Sequence, residues 1–353
     1  MAQIDRQILR EYREKKQDYV ELEPIVYNLI KNAIDNKKLN VLAIHHRVKE
    51  KSSLASKISQ HRRTYSSLSD ITDVLGFRVI TFFSDDVDVI GELVEEAFVV
   101  DWNNSVDKRQ MIQATAFGYI SLHYICSLKD EEQYPERLKG IRFEVQIRTG
   151  LQHIWAEIEH DLGYKSKFGV PREIRREFSK IAGLLEIADD EFVQVRNGMY
   201  QYVENIRDRI IQGEAKDLPL SVISLTEYIH NNQKMREYLD NMARIGDADL
   251  NIISPESYMD RLSWLGIKTL GDMERLLENN KEMAYKMEED ALSDIEIEVF
   301  LSSVGLRYLC RAELLRRNAT KEQIVEFFRI TEKKEGKAER MADKLLSYKE
   351  KEA

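Results

Sequence analysis

Cysteine is almost absent from this chain: Cys126 and Cys310 are the whole complement. Two isolated thiols exclude a disulfide-stapled scaffold and a cysteine-ligated zinc ribbon, and they suit a reducing cytoplasm. Proline is scarce too, at five residues in 353. None falls between Pro171 and Gln212, so a long helix is free to run there. No run of about 18 apolar residues occurs, which excludes a membrane-spanning helix. The opening MAQIDRQILREYREKKQDYVELEP is charged and amphipathic and lacks the apolar segment of a signal peptide. A cytoplasmic protein with no membrane partner is expected. Basic excess is missing as well: 62 acids against 53 bases give a net charge of −9, which argues against a general nucleic-acid coat.

Basic residues are nevertheless concentrated in one place. Between Ile44 and Arg63 stand Arg47, Lys49, Lys51, Lys57, Arg62 and Arg63 against the single acid Glu50. A local basic patch on an acidic chain points to a specific anion site. The length suffices for two or three domains. Apolar spacing predicts helices over the first 36 residues, about 44–62, 86–98, 151–162 and 171–212. Strands are predicted at 77–83, 118–128 and 142–149. The stretch GEAKDLPLS (213–221) has glycine, proline and charge without periodicity, and marks a boundary between 1–215 and 216–353. Beyond it the pattern is helical. Ser254 before Pro255, Thr269 with Asp272, Ser293 with Glu296 and Thr320 with Gln323 all fit helix starts.

The chemistry concentrates on three segments. In RFEVQIRTG, Phe143, Val145 and Ile147 fall on one face of a strand, and Glu144, Gln146 and Arg148 on the other. In GYISLHY, Tyr119, Ser121 and His123 share a face. ITDVLGFRVI puts Asp73 at a strand edge and Arg78 five residues on. Asp73 and Glu144 then become two carboxylates from neighbouring strands, a set suited to Mg²⁺, which takes one or two acids plus substrate phosphates. Arg47, Lys49, Ser53 and Lys57 supply cationic and hydroxyl groups for a polyphosphate. A half-buried strand with a merely solvated polar face is the plain alternative, and only the coincidence of all three segments outweighs it.

RVKEKSSLASK, ITDVLGFRVI, FGYISLHY and FEVQIRTGLQHIWAEIEHDLGYK, in that order, resemble the synthetase domain of the RelA/SpoT family over about residues 40–170. The resemblance implies an α+β fold, a nucleotidyltransferase-like mixed sheet flanked by helices, followed here by an all-helical C-terminal region. It implies transfer of the β,γ-pyrophosphate of ATP to a ribose 3′-hydroxyl, most often of GDP or GTP. By that resemblance Asp73 and Glu144 bind Mg²⁺ and serve the reaction, with Glu144 as an aid to deprotonating the acceptor. Arg47 and Arg78 bracket the adenine, while Lys49, Ser53 and Lys57 face the ATP phosphates. Tyr119 stacks on the acceptor base, and Ser121, His123, Gln146 and Arg148 line the acceptor. The run ATAFGY departs from the family pattern, which often has a basic residue and an asparagine there. That departure keeps a second acceptor open, the 3′ end of tRNA, with Arg62, Arg63, Lys108 and Arg109 as candidate contacts. A non-catalytic nucleotide sensor is a third reading.

Other features read more plainly. His153, Glu157 and His160 share a helical face, but a buttressing helix is favoured over a zinc trio. The tryptophans 102, 155 and 264 read as core anchors, and His45 and His46 as a solvated helix face. A self-association seam along 171–212, giving a homo-oligomer, is the lesser reading beside packing on the sheet. For SYMDRLSWLGIKTLGDMERLL, with its turn at Gly266, a regulatory or partner-binding domain outweighs a nucleic-acid-binding helix–turn–helix, because its surroundings are acidic.

Overall fold

The computed structural model describes residues 3–59, 65–107, 121–165, 171–292 and 296–352. It divides into two compact units, Met1–Arg196 and Asn197–Ala353.

The first unit opens with α1 (Gln3–Asn36), whose Ile8, Tyr12, Tyr19, Leu22, Val26, Ile30 and Ile34 recur at helical spacing and are all buried. Then come β1 (Val41–Val48), α2 (Lys51–Ser59), β2 (Leu75–Thr81) and α3 (Asp86–Ala97). The rest is β3 (Val99–Val100), β4 (Val106–Asp107), β5 (Leu122–Ser127), α4 (Glu136–Lys139), β6 (Phe143–Thr149) and α5 (Gly150–Lys165). The helix expected at 44–62 is therefore wrong in its first part, since 41–48 is an edge strand. Among the described residues of that span, Lys51–Ser59 is helical, anchored by buried Leu54 and Ile58 one turn apart.

Among the described residues the sheet runs β1-β2-β6-β5-β3, with β4 also on β5. β2 and β6 pair in parallel, and the other pairings are antiparallel. The mixed character follows from β6 returning beside β2 after the intervening strands. One face carries Phe77, Val79, Val145 and Ile147, packed in a single core with the apolar stripes of α1 and α3. Burying one such side chain contributes about 1.5–3 kcal/mol. The other face is left for polar groups.

A long helix, α6 (Arg172–Ile211), begins right after Pro171 and crosses the boundary between units. The boundary lies ahead of the 215/216 position read from the sequence because Ile206 and Ile210 belong to the second core. The second unit continues with α7 (Val222–Asn231), α8 (Gln233–Ile245), β7 (Asp249–Asn251), α9 (Met259–Trp264) and α10 (Leu270–Leu292). β8 (Val299–Leu301), α11 (Ser302–Arg316), α12 (Lys321–Arg329) and α13 (Lys337–Glu352) complete it. The described residues of this region are mainly helical, and β7 and β8 form a parallel two-stranded ladder.

The caps at Thr269/Asp272 and Thr320/Gln323 form as reciprocal hydrogen bonds. Gly266 turns between α9 and α10 at φ +75°, a left-handed conformation that favours glycine. Ser293 lies outside the described residues. Trp155 is buried, but Trp102 is 62% exposed and no core anchor; its ring meets Tyr124 edge-on instead.

Candidate active site

Strand register assembles the site. Across the polar face one row reads Arg47, Gly76, Glu144, Ile125, and the next reads His45, Arg78, Gln146, His123. Period-two alternation in four adjacent strands therefore projects two guanidiniums, an acid, an amide and two imidazoles onto one surface. Two cavities of about 260 and 340 Å³ share Arg47, Arg78 and Gln146. The first adds Asp73, Gly76 and Glu144; the second adds His123, Arg148 and Glu157. Gly76, without a side chain, leaves the floor open between Arg47 and Glu144.

Asp73 sits in the turn entering β2. Its Oδ2 accepts from Lys49 Nζ at 2.6 Å and pairs with Lys57 Nζ at 2.7 Å. Lys49 is placed by the end of β1, where its backbone N–H donates to Val74 O and its carbonyl accepts from Tyr12 of α1. Lys57 lies beside the buried Ile58 of α2. Burial pushes the Asp73 carboxyl up, yet the two ammoniums together outweigh it and hold the group below the usual carboxylate range. Its other oxygen, Oδ1, is buried with no hydrogen-bond partner among the described residues.

Glu144 is held differently. Its Oε1 lies 2.9 Å from His123 Nδ1, and its Oε2 accepts from Gln146 Nε2 at 2.9 Å. His123 Nε2 lies 2.6 Å from the hydroxyl of buried Ser121. A carboxylate only accepts, so Nδ1 carries a proton toward Glu144. Burial raises the Glu144 carboxyl and the charge on Asp73 adds to that, but the His123 and Gln146 contacts leave it lowered overall.

At the far end, Arg148 is only 2% exposed, and its Nη2 donates to His153 Nδ1 at 2.7 Å and Glu157 Oε1 at 3.3 Å. Arg78 Nη1 donates to the same Glu157 oxygen at 2.8 Å. Thr149 and Gln152 close a reciprocal cap that starts α5 directly after β6, bringing His153 and Glu157 over the sheet. Burial and the flanking Arg148 and Arg78 charges push the His153 imidazole down, so it stays neutral and accepts from Arg148. Burial raises the Glu157 carboxyl, but the same two guanidiniums hold it below its usual range.

The structure thus brings together Arg47, Lys49, Lys57, Asp73, Arg78, Ser121, His123, Glu144, Gln146 and Arg148. Ser53 is exposed on α2 and lines neither cavity. Tyr119, Arg62, Arg63, Lys108, Arg109 and the ATAF run lie outside the described residues. Glu157 is the residue whose place sequence reasoning missed: assigned to a buttressing helix and given no partner, it binds two arginines. The signal was available in Arg78 and Arg148, two guanidiniums on one face that need an acid. His45 and His46 lie on β1, not a helix, and His46 contacts Glu23.

Residues 46–168 match the family model described as a region found in RelA / SpoT proteins. This segment is a RelA/SpoT region. It contains every residue of the two cavities except His45. Among curated relatives, GTP pyrophosphokinase YjbM of Bacillus subtilis (strain 168) is 27% identical over 153 residues, covering 42% of this chain and 69% of its own. GTP pyrophosphokinase YwaC of the same strain is 26% identical over 192 residues, covering 49% of this chain and 89% of its own.

Two solved structures are also similar. A GTP pyrophosphokinase family protein from Streptococcus pneumoniae has a TM-score of 0.44 at 26% identity, covering 54% of this chain and 96% of its own. Small alarmone synthetase 1 from Bacillus subtilis, bound to its product pppGpp, has a TM-score of 0.43 at 22% identity, covering 54% and 97%. The RelA/SpoT region lies wholly within the first unit. No helix among the described residues is long and apolar enough to cross a membrane.

Proposed function

We propose that the RelA/SpoT region is a pyrophosphotransferase that moves the β,γ-pyrophosphate of ATP to the ribose 3′-hydroxyl of GDP or GTP, forming (p)ppGpp. The observation that carries this reading is the pairing of two charged, partly buried carboxylates, Asp73 and Glu144, with Lys49, Lys57, Arg47 and Arg78 around one cavity. The two curated relatives named GTP pyrophosphokinases support the same chemistry.

In the reaction the 3′-oxygen of the acceptor forms a bond to the β-phosphorus, the bridging bond to the α-phosphate breaks, and AMP leaves. Glu144, held as a carboxylate, takes the hydroxyl proton, with His123 fixing its orientation. Lys49 and Lys57 turn from Asp73 toward the phosphates and offset their charge. Arg47 and Arg78 flank the adenine. His123, Gln146 and Arg148 define the acceptor side, with Ser121 setting the His123 ring. Mg²⁺ fits the donor set: the unpartnered Asp73 Oδ1 and Glu144 are hard oxygen ligands of the kind this ion takes beside substrate phosphates. When bound, it would neutralise charge on the transferred group.

The test offers purified protein Mg²⁺ and ATP labelled at the γ-phosphate, with GDP, GTP and deacylated tRNA in separate reactions. Label on GDP or GTP supports the proposal. Label on tRNA alone replaces the acceptor, and no transfer to any of them leaves a nucleotide sensor in its place.

A further inference from the structure

The helical unit holds its own cavity, about 570 Å³, between α10, α11 and α13. That volume lies in the range of small-molecule sites. Its wall combines the rings of Tyr308 and Tyr348 and apolar Met341 and Leu345 with two cations, Arg311 and Lys344. Lys344 is exposed and Arg311 half-buried. Neither has an ion-pair partner among the described residues, and Arg311 Nε is buried without a hydrogen bond. Asp290, the one carboxylate in the lining, is exposed.

Arg311 also lies among like charges. Burial lowers its pKa, and Arg307, one turn earlier on α11, and Arg261 of α9 lower it further. Each of the three guanidiniums rests near an aromatic ring, at 4.8 Å for Arg261 on Tyr258, 5.2 Å for Arg307 on Tyr308 and 5.8 Å for Arg311 on Phe328. The acid acting on Arg307 is Glu288, which burial pushes up to about 8, so at pH 7 it is largely neutral. Arg261 faces one charged acid, Glu332, but Arg307 and Arg311 converge with ring faces and little compensating negative charge, an arrangement that costs free energy until an anion arrives.

We propose that this cavity binds a small organic phosphate, its head on Arg311 and Lys344 and its planar or apolar body against Tyr308, Tyr348 and Leu345. A dianionic head suits two convergent cations with a third behind them. The site lies within the second unit and is independent of the reaction proposed for the first.

AMP is a suitable probe, titrated calorimetrically into the full chain without Mg²⁺. Arg311→Met and Lys344→Ala should each weaken one AMP-binding event about ten-fold or more. Inorganic phosphate, the head alone, should bind at that site at least about ten-fold more weakly than AMP. Arg311→Met should also leave the melting temperature of the ligand-free protein unchanged or higher, because it removes an uncompensated charge. Lys344 is exposed, so its variant keeps the test readable even if the Arg311 variant folds poorly. AMP affinity unmoved by either substitution, no AMP binding, or phosphate binding as tightly as AMP would overturn the proposal.

Discussion

Asp73 and Glu144 stay charged by different means, and the difference separates the effects of changing their neighbours. Two ammoniums offset burial at Asp73, whereas an imidazole N–H and an amide do so at Glu144. Glu144→Gln keeps an acceptor for His123 while removing the charge and the proton acceptor. Turnover should fall at least about a hundred-fold with stability changed by about 1 kcal/mol or less. Pyrophosphate transfer at wild-type rate in this variant would show that the site lies elsewhere. Lys49→Met instead removes one of the two ammoniums that offset burial at Asp73. Because the folded pKa of Asp73 is depressed, its favourable contribution is present above the unfolded value of about 4 and lost as pH falls through the folded one. Removing Lys49 raises the folded value, so the acid limb of the pH–rate profile should move to higher pH. An unmoved limb in that profile would remove Lys49 from the charge balance.

At the scale of elements, α6 is tied to the end of β6 by a buried acid. Asp189 Oδ2 accepts from the Thr149 hydroxyl at 2.7 Å, and burial pushes this carboxyl up to about 6 despite that bond. Here the folded pKa lies above the unfolded one, so the folded state binds more protons between about pH 4 and 6, and stability falls as pH rises through that window. Above it a charged buried carboxylate is a standing cost. Asp189→Asn retains a carbonyl for Thr149 and should stabilise the protein by about 1–3 kcal/mol at pH 7.5 but little at pH 4. Equal effects at both pH values in urea titrations would rule out ionisation as the cause. Elements differ in how legible they were in the sequence. β6 was readable because Phe143, Val145 and Ile147 pack in the core while Glu144 and Gln146 face the cavities. β1 was not: it is an edge strand with no fully buried residue, and the spacing over 44–62 reads as helical. β7 and β8 are three residues each, too short to show alternation. Carboxylates and cations of the site stood out by type and order, but Arg148–Glu157 spans a strand and a helix and depends on the Thr149 cap.

For the whole molecule, the two cores share no buried residue: one is built on the sheet with α1 and α3, the other on α7 to α13 with the end of α6. Free energy of packing is therefore collected in two places, and one unfolding free energy need not describe the chain. Val145 of β6 and Leu309 of α11 are each fully buried, one in each core. Truncating a buried aliphatic side chain to alanine costs about 2–5 kcal/mol for Leu and somewhat less for Val. In units of this size that lowers a melting transition by several degrees, about 2–4 °C per kcal/mol. Calorimetry should accordingly resolve two components, with Leu309→Ala moving one and Val145→Ala the other. Tryptophan reports which is which, since Trp102 and Trp155 belong to the first unit and Trp264 to the second. In a variant with both Trp102 and Trp155 replaced by Phe, the fluorescence melt should follow the component that Leu309→Ala displaces. One transition, displaced alike by either substitution and with equal calorimetric and van't Hoff enthalpies, would instead mean that the two cores fold as a single cooperative body.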